Sequence, residues 1–145
     1  MKLSTRTRYG LRAILELAEN HNKGPLQIKN IAKRQDISVK YLEQLMAILK
    51  SAGLVRAVRG AKGGYILAKP ANHIKLSDIF NALEGPSAIN VECIENKNLC
   101  AKAADCVTRK LWTQLQEAIM DVLNSLTLKD LLDRAKVTKT LDYQI

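Results

Sequence analysis

Apolar residues recur at helical spacing near the start of the chain. The pattern predicts an amphipathic helix that begins at Ser4 or Thr5, either of which can cap it, and that ends before residues 22–25. The inward face of this helix is formed by Leu11, Ile14, Leu15 and Ala18.

Two further helical patterns follow, and only three residues separate them. The first ends at about Gln35, and the second follows the turn Asp36-Ile37-Ser38 and is ended by Gly53. Between them, Asp36 tolerates the left-handed conformation of a sharp turn, and Ile37 can fill the space between the helices. Ser38 is a good N-cap for the second helix. This arrangement predicts a helix-turn-helix unit.

A β-hairpin is predicted directly after that unit. Residues 54–58 and 65–68 have strand character, and the basic turn at 59–64 contains three glycines that permit positive φ. A basic hairpin in this position is typical of a wing. The glycines could instead cradle a phosphate, but the strand–loop–helix context and the Gly-Lys-Ser/Thr ending of such loops are absent from the sequence.

The second half of the chain predicts a short helix over Ser77–Leu83, little periodicity over 87–104, and then a long helix. One face of the long helix is apolar at nearly coiled-coil spacing. On so small a domain this face predicts a homodimer, because a second subunit would cover it. The stripe consists of Val107, Leu111, Leu115, Ala118, Ile119, Val122 and Leu126.

The C-terminal residues predict one more helix. Thr127 and Asp130 have the spacing of a capping box, which opens a helix to about Ala135. The chain beyond Val137 is polar, and we expect a loose tail there.

The fold class predicted from these elements is mainly α: a winged helix-turn-helix with a small β-hairpin wing, a cysteine loop and a long dimerisation helix. The 145 residues suit one compact domain. Within it we distinguish the winged-helix region (1–70), a short helix with the cysteine loop (71–104), and the dimerisation helix with the C-terminal helix and tail (105–145).

Positive charge is concentrated in the winged-helix region. The formal net charge is +9, and residues 1–70 hold 14 Lys or Arg against 4 Asp or Glu, whereas residues 71–145 hold 9 against 10. A one-sided excess favours a polyanion such as double-stranded DNA as partner. No helix combines a broad apolar face with a basic one, so a membrane surface is disfavoured. Without a membrane span or a signal peptide, the sequence predicts a cytoplasmic protein.

All three cysteines, Cys93, Cys100 and Cys106, lie within fourteen residues. The polar surroundings disfavour three buried hydrophobic residues, and the odd count disfavours a structural disulfide. Structural zinc usually has four ligands in close Cys-x-x-Cys pairs. An iron–sulfur cluster fits better, because thiolates are its preferred ligands and wide spacings are acceptable. Zinc or a cluster-free thiol switch stays open.

Catalysis is disfavoured by the same residues. The chain has no Cys-x-x-Cys motif, and His21 and His73 are both distant in sequence from the cysteines. A thiol oxidoreductase would need one of these features. We therefore predict that the protein is not an enzyme.

Several motifs resemble the bacterial iron–sulfur regulators of the IscR/NsrR type, and the likeness to IscR is stronger. It runs from residue 1 to about 133. It is carried by Met1-Lys2-Leu3-Ser4…Arg8-Tyr9, Ile37-Ser38…Tyr41-Leu42-Glu43-Gln44-Leu45, Gly53-Leu54-Val55, Val58-Arg59-Gly60…Gly63-Gly64-Tyr65, the three cysteines and Leu111-Trp112.

The resemblance implies a homodimer on DNA and an iron–sulfur cluster bound by Cys93, Cys100 and Cys106, whose occupancy chooses the promoters. By resemblance 2Fe–2S is favoured over 4Fe–4S, and the cell's iron–sulfur assembly machinery would be its source. Glutamate can accept from the cytosine amino group and glutamine can pair with adenine, while wing cations contact phosphate or the minor groove. The implied DNA-contacting residues are Ser38, Lys40, Tyr41, Glu43, Gln44, Arg59 and Lys62.

Three positions depart from these relatives. IscR proteins often use a histidine three residues after the third cysteine as fourth ligand, but Arg109 stands there and cannot coordinate. Arg8 stands at the position where NsrR proteins can use an N-terminal aspartate. Lys40 stands where IscR commonly has a serine. Since Arg109 supplies no ligand, we expect Arg109→Ala to retain the cluster. The fourth ligand stays open among a partner residue, a small exogenous ligand, Glu92, Glu95 and Asp105.

Overall fold

A computed structural model describes residues 3–85 and 92–143 of the chain. It confirms the mainly helical fold with a β-hairpin wing. Single 3₁₀ turns lie at Ala71–His73 and Lys97–Leu99. The hairpin is antiparallel and consists of β1 (Val55–Val58) and β2 (Gly64–Leu67). The helices are α1 (Thr5–Glu19), α2 (Ile28–Gln35), α3 (Val39–Ser51), α4 (Leu76–Glu84), α5 (Glu92–Glu95), α6 (Val107–Ser125) and α7 (Leu128–Tyr143).

The predicted turn of the helix-turn-helix lies between α2 and α3. Asp36 adopts a left-handed conformation with φ 52°, and the Ile37 N–H donates to the Ala32 carbonyl at 3.1 Å. Ser38 then begins α3, because its Oγ accepts from the Tyr41 N–H at 3.1 Å. The left-handed conformation of Asp36 and the N-cap at Ser38 are both local preferences. Together they set the direction in which α3 leaves α2.

The hydrophobic core lies where α1, α3 and α4 meet. Ile14, Leu42 and Met46 are fully buried there, and Leu83 is 1% exposed. Gly10 permits the close approach of α1 and α4, because a Cβ at this position would lie 2.6 Å from Leu83 Cδ1. The core thus belongs mainly to the winged-helix region and α4.

Two backbone hydrogen bonds tie the start of α4 to the junction between α6 and α7. The Leu76 N–H donates to the Leu126 carbonyl at 3.0 Å, and the Leu128 N–H donates to the Ile74 carbonyl at 2.8 Å. The Leu128 side chain is fully buried at this crossing. The chain that leaves the core after α4 therefore returns to it beside the start of the same helix.

The capping box at the start of α7 is confirmed, but the predicted loose tail is wrong. The Thr127 N–H donates to Asp130 Oδ2 at 2.7 Å, and the Asp130 N–H donates to Thr127 Oγ1 at 3.3 Å. The helix continues to Tyr143, because no glycine or proline interrupts it after Val137. Apolar periodicity fades there, but helical backbone bonding does not require it.

Some sequence predictions fall on residues that the structure leaves undescribed. Of the aperiodic segment at 87–104, residues 87–91 lie outside the described residues, as do residues 144–145 of the tail and residues 1–2 of the opening motif. Within the described ranges, no helix is both long and apolar enough to cross a membrane.

Candidate DNA interface and cysteine segment

The first turns of α3 present most of the predicted DNA-contacting side chains. Lys40, Glu43 and Gln44 are exposed, whereas Leu42 and Leu45 on the other face are buried in the core. In helix-turn-helix proteins the N-terminal residues of this helix meet the base edges in the major groove. The exposure of these three side chains is compatible with base contacts.

Tyr41 is half-buried and takes part in an aromatic contact with α1. Its ring lies 6.2 Å from the ring of Tyr9, edge to face at 88°. The Arg12 guanidinium lies 5.7 Å from the centre of the Tyr9 ring, a cation–π distance. The sequence motifs named both tyrosines but gave no sign of this stack, because it joins residues distant in the chain. It fixes the start of α3 against α1.

The wing is anchored to the helix-turn-helix by the chain just before α2. The Leu26 N–H donates to the Tyr65 carbonyl at 3.0 Å, and the Tyr65 N–H donates to the Leu26 carbonyl at 2.9 Å. Arg59 and Lys62 lie exposed at the hairpin turn. Gly63 is required there, because a Cβ would lie 2.1 Å from the Val58 carbonyl oxygen. Both predicted wing cations therefore lie on a fixed support.

The cysteine segment, which we define as residues 92–106, carries three free thiols. Cys93 lies on α5 and is half-buried, Cys100 is exposed after a 3₁₀ turn, and Cys106 is the N-cap residue of α6. Among the described residues, no three Cys, His, Asp or Glu side chains are close enough together to hold one metal ion. Three accessible thiols nevertheless match the ligand chemistry of an iron–sulfur cluster.

The Cys106 thiol has the environment of a reactive cysteine. Its Sγ lies 3.2 Å from the Thr108 hydroxyl oxygen. That hydrogen bond, followed by one from the Arg109 backbone, holds the pKa of the Cys106 thiol below its ordinary value. A lower pKa raises the fraction of thiolate, the form that binds metals and attacks disulfides.

Arg109 stands where the resemblance to IscR implies a histidine ligand, and its side chain makes hydrogen bonds of its own. Its Nε donates to the Cys93 carbonyl at 2.8 Å, its Nη2 donates to the Ile94 carbonyl at 3.4 Å, and its Nη1 donates to the Ala103 carbonyl at 3.4 Å. Sequence reasoning excluded Arg109 as a ligand but did not foresee these contacts. Arginine alone carries no signal of which carbonyls its guanidinium will reach.

Helix α6 leaves most of its predicted apolar stripe exposed, whereas Ile119 and Leu126 are half-buried. No residue of α6 is buried, and only its C-terminal end approaches the core, through Leu123. Among the stripe residues, Val107 is 77% exposed and Val122 is 57% exposed, and Leu111 and Leu115 are also exposed. A contiguous apolar face of this kind marks an interaction surface.

Comparisons with known proteins agree with this architecture. A model of the Rrf2 family, described as iron-dependent transcriptional regulators, matches residues 3–134. Protein rrf2 of Nitratidesulfovibrio vulgaris (strain Hildenborough) is 44% identical over 137 residues, which are 94% of this chain and 91% of the relative. The regulator IscR of Pectobacterium atrosepticum is 35% identical over 144 residues, which are 99% of this chain and 87% of the relative.

Solved structures of two similar proteins share the fold. CymR of B. subtilis, described as its global cysteine regulator, has a TM-score of 0.78 and 42% identity, covering 92% of this chain and 98% of that one. IscR of T. potens has a TM-score of 0.76 and 41% identity, covering 93% and 88% respectively. The resemblance to IscR-type regulators is confirmed, and CymR-type regulators are equally similar. The chain belongs to the Rrf2 family of DNA-binding transcriptional regulators.

Proposed function

We propose that this chain is a homodimeric transcriptional regulator that senses its signal with an iron–sulfur cluster at Cys93, Cys100 and Cys106. The observation that carries the proposal is that all three cysteines of the chain are free thiols on one segment. This segment lies between α4 and α6, outside the winged helix. A change there can alter DNA binding without dismantling the DNA-binding core.

The three thiolates would hold the cluster, and a cluster bound in this way supplies a group that responds to oxidants, nitric oxide or iron supply. Resemblance to IscR favours 2Fe–2S. The chain's own contribution is to keep the cysteines near the N-terminus of α6, so that a change in the segment is transmitted to the helix that pairs the subunits. Coupling of this kind between a ligand site and DNA affinity typically changes affinity by about 5- to 150-fold.

DNA binding would use α3 for base contacts and the wing for the backbone. Glu43 and Gln44 would meet base edges, while Lys40, Arg59 and Lys62 would contact phosphate or groove acceptors. Ser38 caps α3 by accepting from the Tyr41 N–H, and its hydroxyl hydrogen would donate to a phosphate oxygen. Tyr41 supports the helix through Tyr9.

The second subunit would cover the apolar stripe of α6. A symmetric dimer places two recognition helices on two half-sites of a palindromic operator. The exposure of Leu111, Leu115 and Val122 supports this interface.

A cluster-free thiol switch is the second candidate, and Cys106 favours it. The pKa of this thiol is lowered by the Thr108 hydroxyl first and then by the Arg109 backbone. CymR, described as a global cysteine regulator, is as similar to this chain as IscR is, so similarity alone does not favour the cluster over this alternative. On this alternative, oxidation of the thiols would change DNA binding without any metal.

Anaerobic purification distinguishes the two candidates. The cluster proposal expects coloured protein with equal iron and acid-labile sulfide, and EPR and Mössbauer spectra then identify the cluster type. Reconstitution should change operator affinity in a gel-shift assay. Colourless, metal-free protein whose DNA binding responds to disulfide reagents would support the thiol switch, and one zinc per chain would reject both.

A further inference from the structure

Arg109 completes the end of α5. This helix is a single turn, so its last carbonyls have no partner within the helix. The Arg109 guanidinium donates to two of them, those of Cys93 and Ile94. A cation at this end is also favoured by the helix dipole. The first cysteine therefore lies on a turn that is closed by a side chain from α6.

The same guanidinium reaches the other half of the cysteine segment. It donates to the Ala103 carbonyl at 3.4 Å, and the Ala103 N–H donates to the Cys100 carbonyl at 3.1 Å. Ala103 is 8% exposed and is the one buried residue of the cysteine segment. The turn that carries Cys100 is thus held to Arg109 as well.

Cys106 completes the set, because it is the N-cap residue of the helix that bears Arg109. The Lys110 N–H donates to the Cys106 carbonyl at 3.4 Å. Each of the three cysteines therefore lies on a stretch of backbone that is connected to one half-buried arginine.

We propose that Arg109 is a positioning residue that holds the three cysteine-bearing turns in one arrangement. Its planar guanidinium offers donors in several directions, so one side chain can bridge carbonyls on both halves of the segment. A lysine ammonium is a compact point charge and lacks this fork. Arg109 would thus order the cysteine segment through hydrogen bonds. A histidine at the same place would order it by coordination.

This arrangement bears on ligand binding, and that part rests on the proposed function. A segment that keeps these hydrogen bonds in the ligand-bound state loses less conformational entropy when it binds its ligand. Arg109→Ala should therefore weaken cluster retention although it removes no ligand. The expectation from sequence alone, that this variant retains the cluster, is revised accordingly.

The test is amide hydrogen exchange on the full-length protein, freed of metal with a chelator and kept reduced. In Arg109→Ala, amides of residues 92–105 should exchange about tenfold faster, the loss expected for hydrogen bonds from a charged donor. In Arg109→Lys the same amides should exchange nearly as fast as in Arg109→Ala, because an ammonium charge alone cannot bridge carbonyls on both halves of the segment. Lys110→Ala, the exposed neighbour, is the matched control and should leave the segment unchanged.

Exchange of the core amides in α1 and α3 reports whether each variant is folded, and it should not change. Wild-type protection in Arg109→Ala or Arg109→Lys would overturn the proposal, as would equal loosening by Lys110→Ala. A parallel measurement follows the decay of visible absorption after anaerobic reconstitution, which should be several times faster in Arg109→Ala. If the wild type takes up no cluster, the proposed function fails, whereas the exchange result still decides the role of Arg109.

Discussion

Ser4 and Glu84, eighty positions apart in the chain, join the first turn of α1 to the last residue of α4. The Ser4 N–H donates to Glu84 Oε1 at 2.9 Å, and the Ser4 hydroxyl donates to the same oxygen. That hydroxyl also accepts from the Thr7 N–H at 3.1 Å. Partial burial raises the pKa of Glu84, but the hydrogen bonds from Ser4 and Thr7 outweigh it and hold the pKa below its ordinary value.

This pair predicts a pH-dependent contribution to stability. A carboxyl whose pKa is lower in the folded protein stabilises it above the unfolded-state pKa, and that contribution is lost as pH falls through the folded-state pKa. Glu84→Gln should lower the free energy of unfolding by about 1 kcal/mol at neutral pH. At an acidic pH below the folded-state pKa of Glu84, the difference should largely disappear.

Urea unfolding of both proteins at the two pH values measures this effect. Glu117→Gln, at an exposed position on α6, is the control and should have no effect at either pH. An equal loss of stability at both pH values would mean that Glu84 acts through packing instead of its charge.

The DNA interface predicts different outcomes for α3 and for the wing. Replacing Glu43 and Gln44 by Ala should relax sequence preference and leave the salt dependence of binding nearly unchanged. Lys62→Ala should weaken binding to all sequences and reduce the slope of log K against log salt by about one. Fluorescence anisotropy with specific and scrambled duplexes over a salt series distinguishes these effects.

Lys136→Ala on α7 is the control for a general loss of positive charge, and it should change neither quantity. If Lys62→Ala altered base preference while the α3 variant did not, the assignment of base and backbone contacts would be reversed.

The uncovered stripe predicts the subunit interface. Leu115→Asp combined with Val122→Asp should give folded monomers, because both side chains are exposed within one chain and the core is not disturbed. Ile119 is a poorer choice, since it is half-buried. Operator affinity should fall at least about tenfold, because each half-site alone supplies only part of the contacts.

Analytical ultracentrifugation checks the mass, and Asn124→Asp, exposed on α6 away from the stripe, is the matched control. A double variant that remains dimeric would exclude this face as the interface.

Replacing each cysteine should impair cluster binding and leave the fold intact. Each of Cys93→Ala, Cys100→Ala and Cys106→Ala should lose most of the visible absorption, because thiolates supply most of the binding energy. Helical circular dichroism should be retained, since the three side chains lie outside the core. DNA binding should persist with altered site choice. Three variants that kept their colour would refute the ligand assignment.

Local rules predicted much of this fold, and the failures are non-local. The N-cap at Ser38 and the capping box at Thr127 follow from residues three positions away, so the sequence was sufficient for them. The contacts of Arg109 and the edge-to-face contact of Tyr9 with Tyr41 depend on how distant segments of the chain meet. The periodicity of apolar residues carries no information about such meetings. The end of α7 was misjudged because a polar helix lacks the apolar spacing on which the prediction relied.

The pair of hydrogen bonds between the start of α4 and the α6–α7 junction has an evolutionary consequence. Because the chain leaves the core at the end of α4 and returns to it beside the start of the same helix, the length of the stretch between α4 and this crossing can vary at little entropic cost to the rest of the molecule. The cysteine segment would therefore tolerate insertions, deletions or exchanged ligand residues. The DNA-binding winged-helix region would not need to be remodelled. Natural variation can therefore place different sensing segments on one unchanged DNA-binding core, between Glu84 at the end of α4 and the anchored backbone at Leu128.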